Sequence, residues 1–158
     1  MKIKRVDNSH PDFINLTKKL DAELTDRYGA KQSAYDKHNI IEPINTSVVG
    51  YIGERPVACG CFKVIDNQTV EIKRMYVSDD CRRNGLSRLV LQSLENWSLE
   101  LGYTKAILET GKGQPEAIEL YHKSGYQITD NYGPYIGFEN SVCMKKVLKN
   151  ENYNIQDL

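Results

Sequence analysis

Three stretches lie close together in this chain: a strand-like run from Glu71 to Val77, a short basic turn, Arg82-Arg83-Asn84-Gly85-Leu86-Ser87, and a strongly amphipathic helix from Leu86 to Leu101. Their adjacency constrains the fold more than any other feature. A strand turning tightly into a helix exposes the first helical N–H groups, which lack intrahelical partners, at the positive end of the aligned peptide dipoles. Gly85 permits close backbone approach, and Arg82 and Arg83 add positive charge, so the turn suits a pyrophosphate. A solvated strand-to-helix turn has the same composition, so the surrounding sequence has to decide. Neither Gly-x-x-x-x-Gly-Lys-Ser/Thr nor a complete Gly-x-Gly-x-x-Gly occurs; Gly111-Lys112-Gly113 begins the second pattern and does not finish it.

At 158 residues the expectation is one domain, residues 1–148, followed by a polar tail, residues 149–158. The formal net charge is zero, so no global field attracts nucleic acid or an anionic membrane, and an anion site must be local. The N-terminal MKIKRVDNSH has no apolar core of signal-peptide length, and no run approaches the roughly 18 apolar residues of a membrane span, which points to a soluble cytoplasmic protein. Cys59, Cys61, Cys81 and Cys143 are too few and too irregularly spaced for a disulfide framework, and His10, His38 and His122 complete no zinc pattern with them. Reduced thiols and no metal are expected. Cys59 and Cys61 have strand spacing and should pack in a core, whereas Cys81 adjoins the basic turn, where helix-end and arginine fields favour a thiolate.

The other elements are legible from periodicity. Lys2 to Val6 alternates as a short strand, and Ser9-His10-Pro11 caps a helix carrying Phe13, Leu16, Leu20 and Leu24 at helical spacing until Gly29. Residues 30–45 form a polar loop with at most a helical turn. Thr46 to Ile52, Pro56 to Ile65 and Thr69 to Val77 then form an antiparallel meander. Leu86, Leu89, Val90, Leu94, Trp97 and Leu101 make one wide apolar stripe, closed by Gly102. Ala106-Ile107-Leu108 is a short buried strand, joined to the preceding one by that helix and hence parallel to it in a right-handed crossover. Gly111, Gly113 and Pro115 open another helix with Ala117, Ile118 and Tyr121 on one side, and two strands close the chain, near residues 126–129 and 142–147. The class is α/β (α+β), with most elements around one sheet.

This order of elements, with Arg82-x-x-Gly85-x-Ser87 and the strings EIKRMYV, LETGKGQPEAIELYHKSGY, NYGPY and SVCMKK, resembles the GNAT superfamily of N-acetyltransferases, which move acetyl from acetyl-CoA to an amine. The strings are similar to a bacterial subgroup of small-molecule acetyltransferases that includes proteins named for amino acids or indole acetate. The superfamily signature is Gln/Arg-x-x-Gly-x-Gly/Ala, from which Ser87 departs; serine is the next smallest side chain, and its hydroxyl can donate to a phosphate.

The resemblance implies a mixed, mostly antiparallel sheet whose central parallel pair splays at the cofactor. It places a bulge and an exposed N–H near Met75, Tyr76 and Val77, with the pantetheine arm along that edge, and the pyrophosphate on amides from Arg83 through Asn84, Gly85 and Leu86 to Ser87, beside Arg82. Gln114 stands where many relatives have a cofactor-contacting asparagine. Tyr121, four residues before Gly125, matches the tyrosine aimed at the cofactor sulfur, and an ordinary tyrosine pKa of about 10 leaves it able to donate a proton. Glu71, eleven positions before Arg82, matches the base of histone-type members and acts directly or through water; a strand-end glutamate paired with Lys73 or Arg74 is the structural alternative. His38 and His122 are the other base candidates. Tyr35, Asn39, Tyr132 and Tyr135 lie in loops that would roof the acceptor pocket.

The expected activity is therefore direct acetyl transfer to a small-molecule amine such as an amino acid. The alternatives are a protein or peptide acetyltransferase, an inactive acyl-CoA-binding module, and transfer through an acyl-cysteine at Cys81 or Cys143. Relatives frequently form homodimers, but no apolar stripe in the sequence requires one.

Overall fold

The computed structural model describes residues 1–29 and 42–149. In chain order these form β1 (Lys2–Val6), α1 (Pro11–Tyr28), β2 (Ser47–Ile52), β3 (Arg55–Val64), β4 (Thr69–Val77), α2 (Leu86–Glu100), β5 (Lys105–Gly111), α3 (Pro115–Lys123), β6 (Gln127–Thr129) and β7 (Ser141–Val147). Of the expected cap residues it is His10 that caps α1, its Nδ1 accepting from the Asp12 N–H at 3.2 Å, with Pro11 in the first turn. Tyr35, His38 and Asn39 lie outside the described residues.

The strands make one sheet in the order β1-β2-β3-β4-β5-β7-β6. Residues 2–77 supply an antiparallel half, and β5, β7 and β6 supply a second antiparallel half. Among the described residues the two halves of the sheet pair through β4 and β5, which are parallel as the helical crossover predicts. That pairing is short. It runs from Thr69 opposite Lys105 to Ile72 opposite Leu108 and then stops, although β4 continues to Val77 along β3 and β5 to Gly111 along β7. The central seam therefore opens into a V.

Each face of the sheet buries its own cluster. Phe13 and Leu16 of α1 pack on Val49, Cys59 and Cys61, so both cysteines are core residues as expected, and burial pushes their thiols well above the usual range. On the other face Val90, Leu91 and Leu94 of α2 cover Val48, Phe62, Val70 and Ile72, and Tyr121 of α3 joins the same cluster. Full burial of one such aliphatic or aromatic side chain stabilises by about 1.5–3 kcal/mol. The stripe on α2 is narrower than the sequence implied: Leu89 and Leu101 are exposed, and Leu91 takes the inward position between Val90 and Leu94. Two polar residues of this helix are buried as well. Glu95 accepts from the Tyr126 hydroxyl at 2.8 Å and from Lys146 Nζ at 3.0 Å, and Ser98 Oγ donates to the Leu94 carbonyl at 2.8 Å.

Candidate active site

The seam opens because β4 carries an extra residue. Cys61 pairs with Lys73 and Cys59 with Tyr76, so Gly60 alone faces both Arg74 and Met75. The bulge starts one residue before the expected Met75–Val77 segment, and the reason lies on the neighbouring strand. A Cβ on Gly60 would stand 2.7 Å from Met75 Sδ and 2.9 Å from a Leu94 methyl, so only glycine gives Met75 this seat. Arg74 takes the left-handed conformation, φ 60°, which costs a non-glycine residue about 1–2 kcal/mol. Offsetting contacts come from α1 and β3: the Arg74 guanidinium donates to both carboxylate oxygens of Asp21 on α1 at 2.9 Å, and the Cys59 thiol of β3 donates to the Arg74 carbonyl at 3.4 Å.

Beyond Val77 a 3₁₀ turn, Asp79–Cys81, leads into the basic turn. Arg83 at φ 67° and Gly85 at φ 75° are both left-handed and flank Asn84, curling the backbone so that successive amides face one concavity. Among the described residues no acceptor takes the N–H groups of Arg83, Asn84, Gly85, Leu86, Ser87 and Arg88; the first bond of the helix, from Leu89 N–H to Gly85 O, lies beyond them. The space above Gly85 is open, with nothing within 4 Å of where a Cβ would stand. Arg82 departs from the expectation. Its Nε donates to the Val77 carbonyl at 2.9 Å, its guanidinium pairs with Glu23 of α1, and it lies 5.5 Å from the Tyr76 ring centre. The Arg82 side chain therefore braces α1 against the turn, and the anion-facing charge falls to the amides and the exposed Arg83.

Between the parted strands lies a cavity of about 130 Å³. Leu20, Leu24 and Tyr28 of α1 close one side, Ala117 and Tyr121 of α3 another, and Glu71, Lys73, Glu109 and Tyr135 line the sheet and loop sides. The end of α1 is fixed there by Arg27, which donates to the Gly113 carbonyl at 3.2 Å and pairs with Glu116. The phenol end of Tyr28 packs against Gly111 and Gly113; a Cβ on Gly111 would be 1.9 Å from its hydroxyl oxygen and one on Gly113 2.9 Å from its ring. The incomplete Gly-x-Gly pattern is thus the seat of an aromatic ring. Gln114 opens α3 at the rim of the same cavity, making no side-chain cap bond.

Glu71 is not at an exposed strand end. It is buried at mid-sheet opposite Ile107, one of its oxygens accepts from the Tyr132 hydroxyl at 2.6 Å, and the other lies 3.4 Å from Lys73 Nζ. The sequence alternative of pairing with Lys73 is realised, and Tyr132 is added. Tyr132 and Tyr135 meet edge to face, their ring centres 5.6 Å apart, on a turn fastened by Asn131 Nδ2, which donates to the carbonyls of Tyr135 at 3.1 Å and Phe138 at 3.0 Å. Burial, then the Glu71 charge, raise Tyr132 far above the usual phenol range. Tyr121 is buried, and burial followed by the Glu109 charge keeps its hydroxyl protonated well past neutral pH.

Glu109 was missed by the sequence reasoning, although alternation along Ala106 to Gly111 puts it on the face shared by Ile107 and Glu71. Burial raises its carboxyl from 4.5 to about 7; the Glu71 charge adds to the rise and Lys73 opposes it. Cys143, its partner on β7, is fully buried and its thiol is raised, chiefly by desolvation, which disfavours a thiolate there. Cys81 and His122 do not line the cavity, and His122 is exposed. Among the described residues there is no cluster suited to a metal ion and no helix long and apolar enough to cross a membrane.

A mixed sheet split at its parallel seam, with an amide cradle at the mouth and a tyrosine and two carboxylates inside, defines an acyl-transfer class in which a phosphorylated thioester carrier lies along the split. Residues 13–126 match the Acetyltransferase (GNAT) family, and the chain belongs to it; its class is acyl-CoA N-acyltransferase. It is 29% identical over 137 residues to the IAA acetyltransferase of Azospirillum brasilense, covering 85% of this chain and 90% of that protein. A protein of Klebsiella pneumoniae assigned as an acyl-CoA N-acyltransferase has a similar structure, with a TM-score of 0.78 and 25% identity over 94% of this chain and 97% of the other. A GNAT acetyltransferase from Elizabethkingia anophelis, solved with acetyl-CoA bound, superposes with a TM-score of 0.67 at 18% identity over 93% and 97% of the two chains.

Proposed function

We propose that this protein transfers the acetyl group of acetyl-CoA to the amine of a small molecule, such as an amino acid or related metabolite, by direct attack while both substrates are bound. The observation that carries the proposal is the continuity of the site: six amides with no acceptor among the described residues lead into a split seam that ends at a protonated tyrosine, the buried Glu71 and the half-buried Glu109. The Elizabethkingia protein was solved with acetyl-CoA bound in the same fold, and the Azospirillum relative is named an IAA acetyltransferase, in line with this reading.

Bound acetyl-CoA supplies the activated thioester. The chain's own residues do the rest. The amides of residues 83–88 hold the diphosphate, with Arg83 adding charge and Ser87 an O–H donor. The edge of β4 from Met75 to Val77, unpaired on the β5 side, receives the pantetheine arm as an added strand, and Gln114 reaches it from the opposite rim. Tyr121 donates its proton to the departing sulfur. Glu71 and Glu109 receive the amine, which must lose a proton to become nucleophilic. Tyr132 and Tyr135 wall the acceptor, and a slot of about 130 Å³ suits a compact amine better than a polypeptide.

Purified protein incubated with acetyl-CoA and a panel of amino acids, polyamines, other primary amines and short peptides should release free CoA with a subset of the small amines. Tyr121→Phe should lower kcat by about 10²-fold while leaving acetyl-CoA binding within a factor of three. Tight acetyl-CoA binding with no CoA release across the whole panel would establish a binding module and overturn the proposal, and turnover confined to peptides would overturn the acceptor class.

A further inference from the structure

Resting on the acetyl-transfer reading, the geometry points to Glu109 as the group that takes the acceptor's proton, with Glu71 as a positioning residue held beside it. Glu71 opposes Ile107 across the parallel pair, so Glu109, two residues further along β5, and Lys73, two residues further along β4, share its face just where the strands part. Both carboxylates border the cavity, but they differ in what holds them. Each oxygen of Glu71 has a partner, Tyr132 Oη at 2.6 Å on one and Lys73 Nζ at 3.4 Å on the other. Among the described residues the Glu109 carboxyl accepts no hydrogen bond and forms no ion pair, so its lone pairs are open to an incoming amine.

Groups on every element packed around Glu109 act on its charge. On β4, Glu71 disfavours the carboxylate and Lys73 favours it. Cys143 of β7 is a buried thiol opposite Glu109, and Tyr121 of α3 is a neutral phenol that feels its charge. Tyr28, Tyr132 and Tyr135 bring further hydroxyls from α1 and the loop. The sum is one carboxyl poised near neutrality, at about 7, where a general base works best.

The proton ledger closes with residues of this chain. An N–H bond of the ammonium breaks, its proton forms an O–H bond on Glu109, and the electron pair left on nitrogen forms the N–C bond to the acetyl carbon as the C–S bond breaks. The departing sulfur takes its proton from Tyr121, the second N–H proton of the new amide nitrogen returns to the Tyr121 oxygen, and Glu109 gives its proton to solvent. Glu71 takes no part in the transfer, because both of its oxygens are already engaged, one by Tyr132 and the other by Lys73.

The test combines two readouts on Glu109→Gln and Glu71→Gln. The first needs no activity: carboxyl NMR of protein carrying ¹³C-labelled glutamate should show one midpoint near 7, absent in Glu109→Gln and moved to lower pH in Glu71→Gln. The second is kcat/KM against pH with an active amine. Wild type should lose rate on the acidic side of about pH 7, Glu109→Gln should lose about 10²-fold and this acidic limb, and Glu71→Gln should shift the limb downward, with acetyl-CoA binding unchanged by calorimetry in both. If Glu109→Gln stays within threefold of wild type and keeps the limb, or if Glu71→Gln is the variant that abolishes it, the assignment of the base is wrong and the acetyltransferase reading stands. If wild type acetylates no amine at all, both fall together, whatever the titration shows.

Discussion

Replacing Glu109 by glutamine should stabilise the protein at alkaline pH, and the size of the gain follows from the environment of the carboxyl. Folding shifts it from 4.5 to about 7, with desolvation as the largest cause. Between those values the folded chain holds more protons than the unfolded one, so wild-type stability falls as pH rises through this window. At about 1.4 kcal/mol per tenfold change in the protonation equilibrium, the ionised carboxylate costs the fold about 3 kcal/mol at pH 8 and about 1 kcal/mol at pH 5. Glutamine keeps the shape and never carries the charge. Urea unfolding at the two pH values, followed by the fluorescence of Trp97, would measure the difference. This is the sole tryptophan and is packed edge-on to Phe62 with ring centres 5.6 Å apart, so its signal reports the core. The expected result is a Glu109→Gln gain about 2 kcal/mol larger at pH 8 than at pH 5, with unchanged m. Equal effects at both pH values would mean that the carboxylate is solvated in the folded state, and the reasoning about Glu109 would fail.

Two further outcomes test the frame around the site. Gly85→Ala should fold, because its Cβ meets nothing, but at φ 75° it should lose about 1 kcal/mol in denaturant unfolding and weaken CoA binding at least tenfold by calorimetry through crowding of the amide cradle. Gly111→Ala drives a methyl into the Tyr28 hydroxyl and should cost about 1–3 kcal/mol; combined with Tyr28→Ala the loss should be clearly less than additive, and strict additivity would show that the ring does not sit on the glycine.

What was legible in the sequence is what is encoded locally. The strand, basic turn and helix around Gly85 were readable because glycine, charge and a 3.6-residue period lie within a short window, and the parallel pairing of β4 and β5 followed from the helix between them. The features that make the seam chemical are set by partners distant in sequence. Arg74 is left-handed because Gly60, on another strand, leaves room for Met75 and because Asp21 of α1 holds its guanidinium. Arg82 looked like an anion ligand until α1 brought Glu23 to it.

Glu109 carries the same lesson furthest. Alternation along β5 puts it on the face away from Leu108, a pattern that in isolation means a solvated position. It becomes a shielded carboxyl only because the pairing ends at Leu108, Tyr28 arrives over Gly111 and Gly113, and the Tyr132–Tyr135 turn closes on Glu71. Each of those contacts spans tens of residues, and each acts on the energy of one charge. Removing any one of them should therefore lower the titration midpoint of Glu109 even where the backbone is unchanged, which makes that midpoint a more sensitive gauge of the assembled site than any single contact within it.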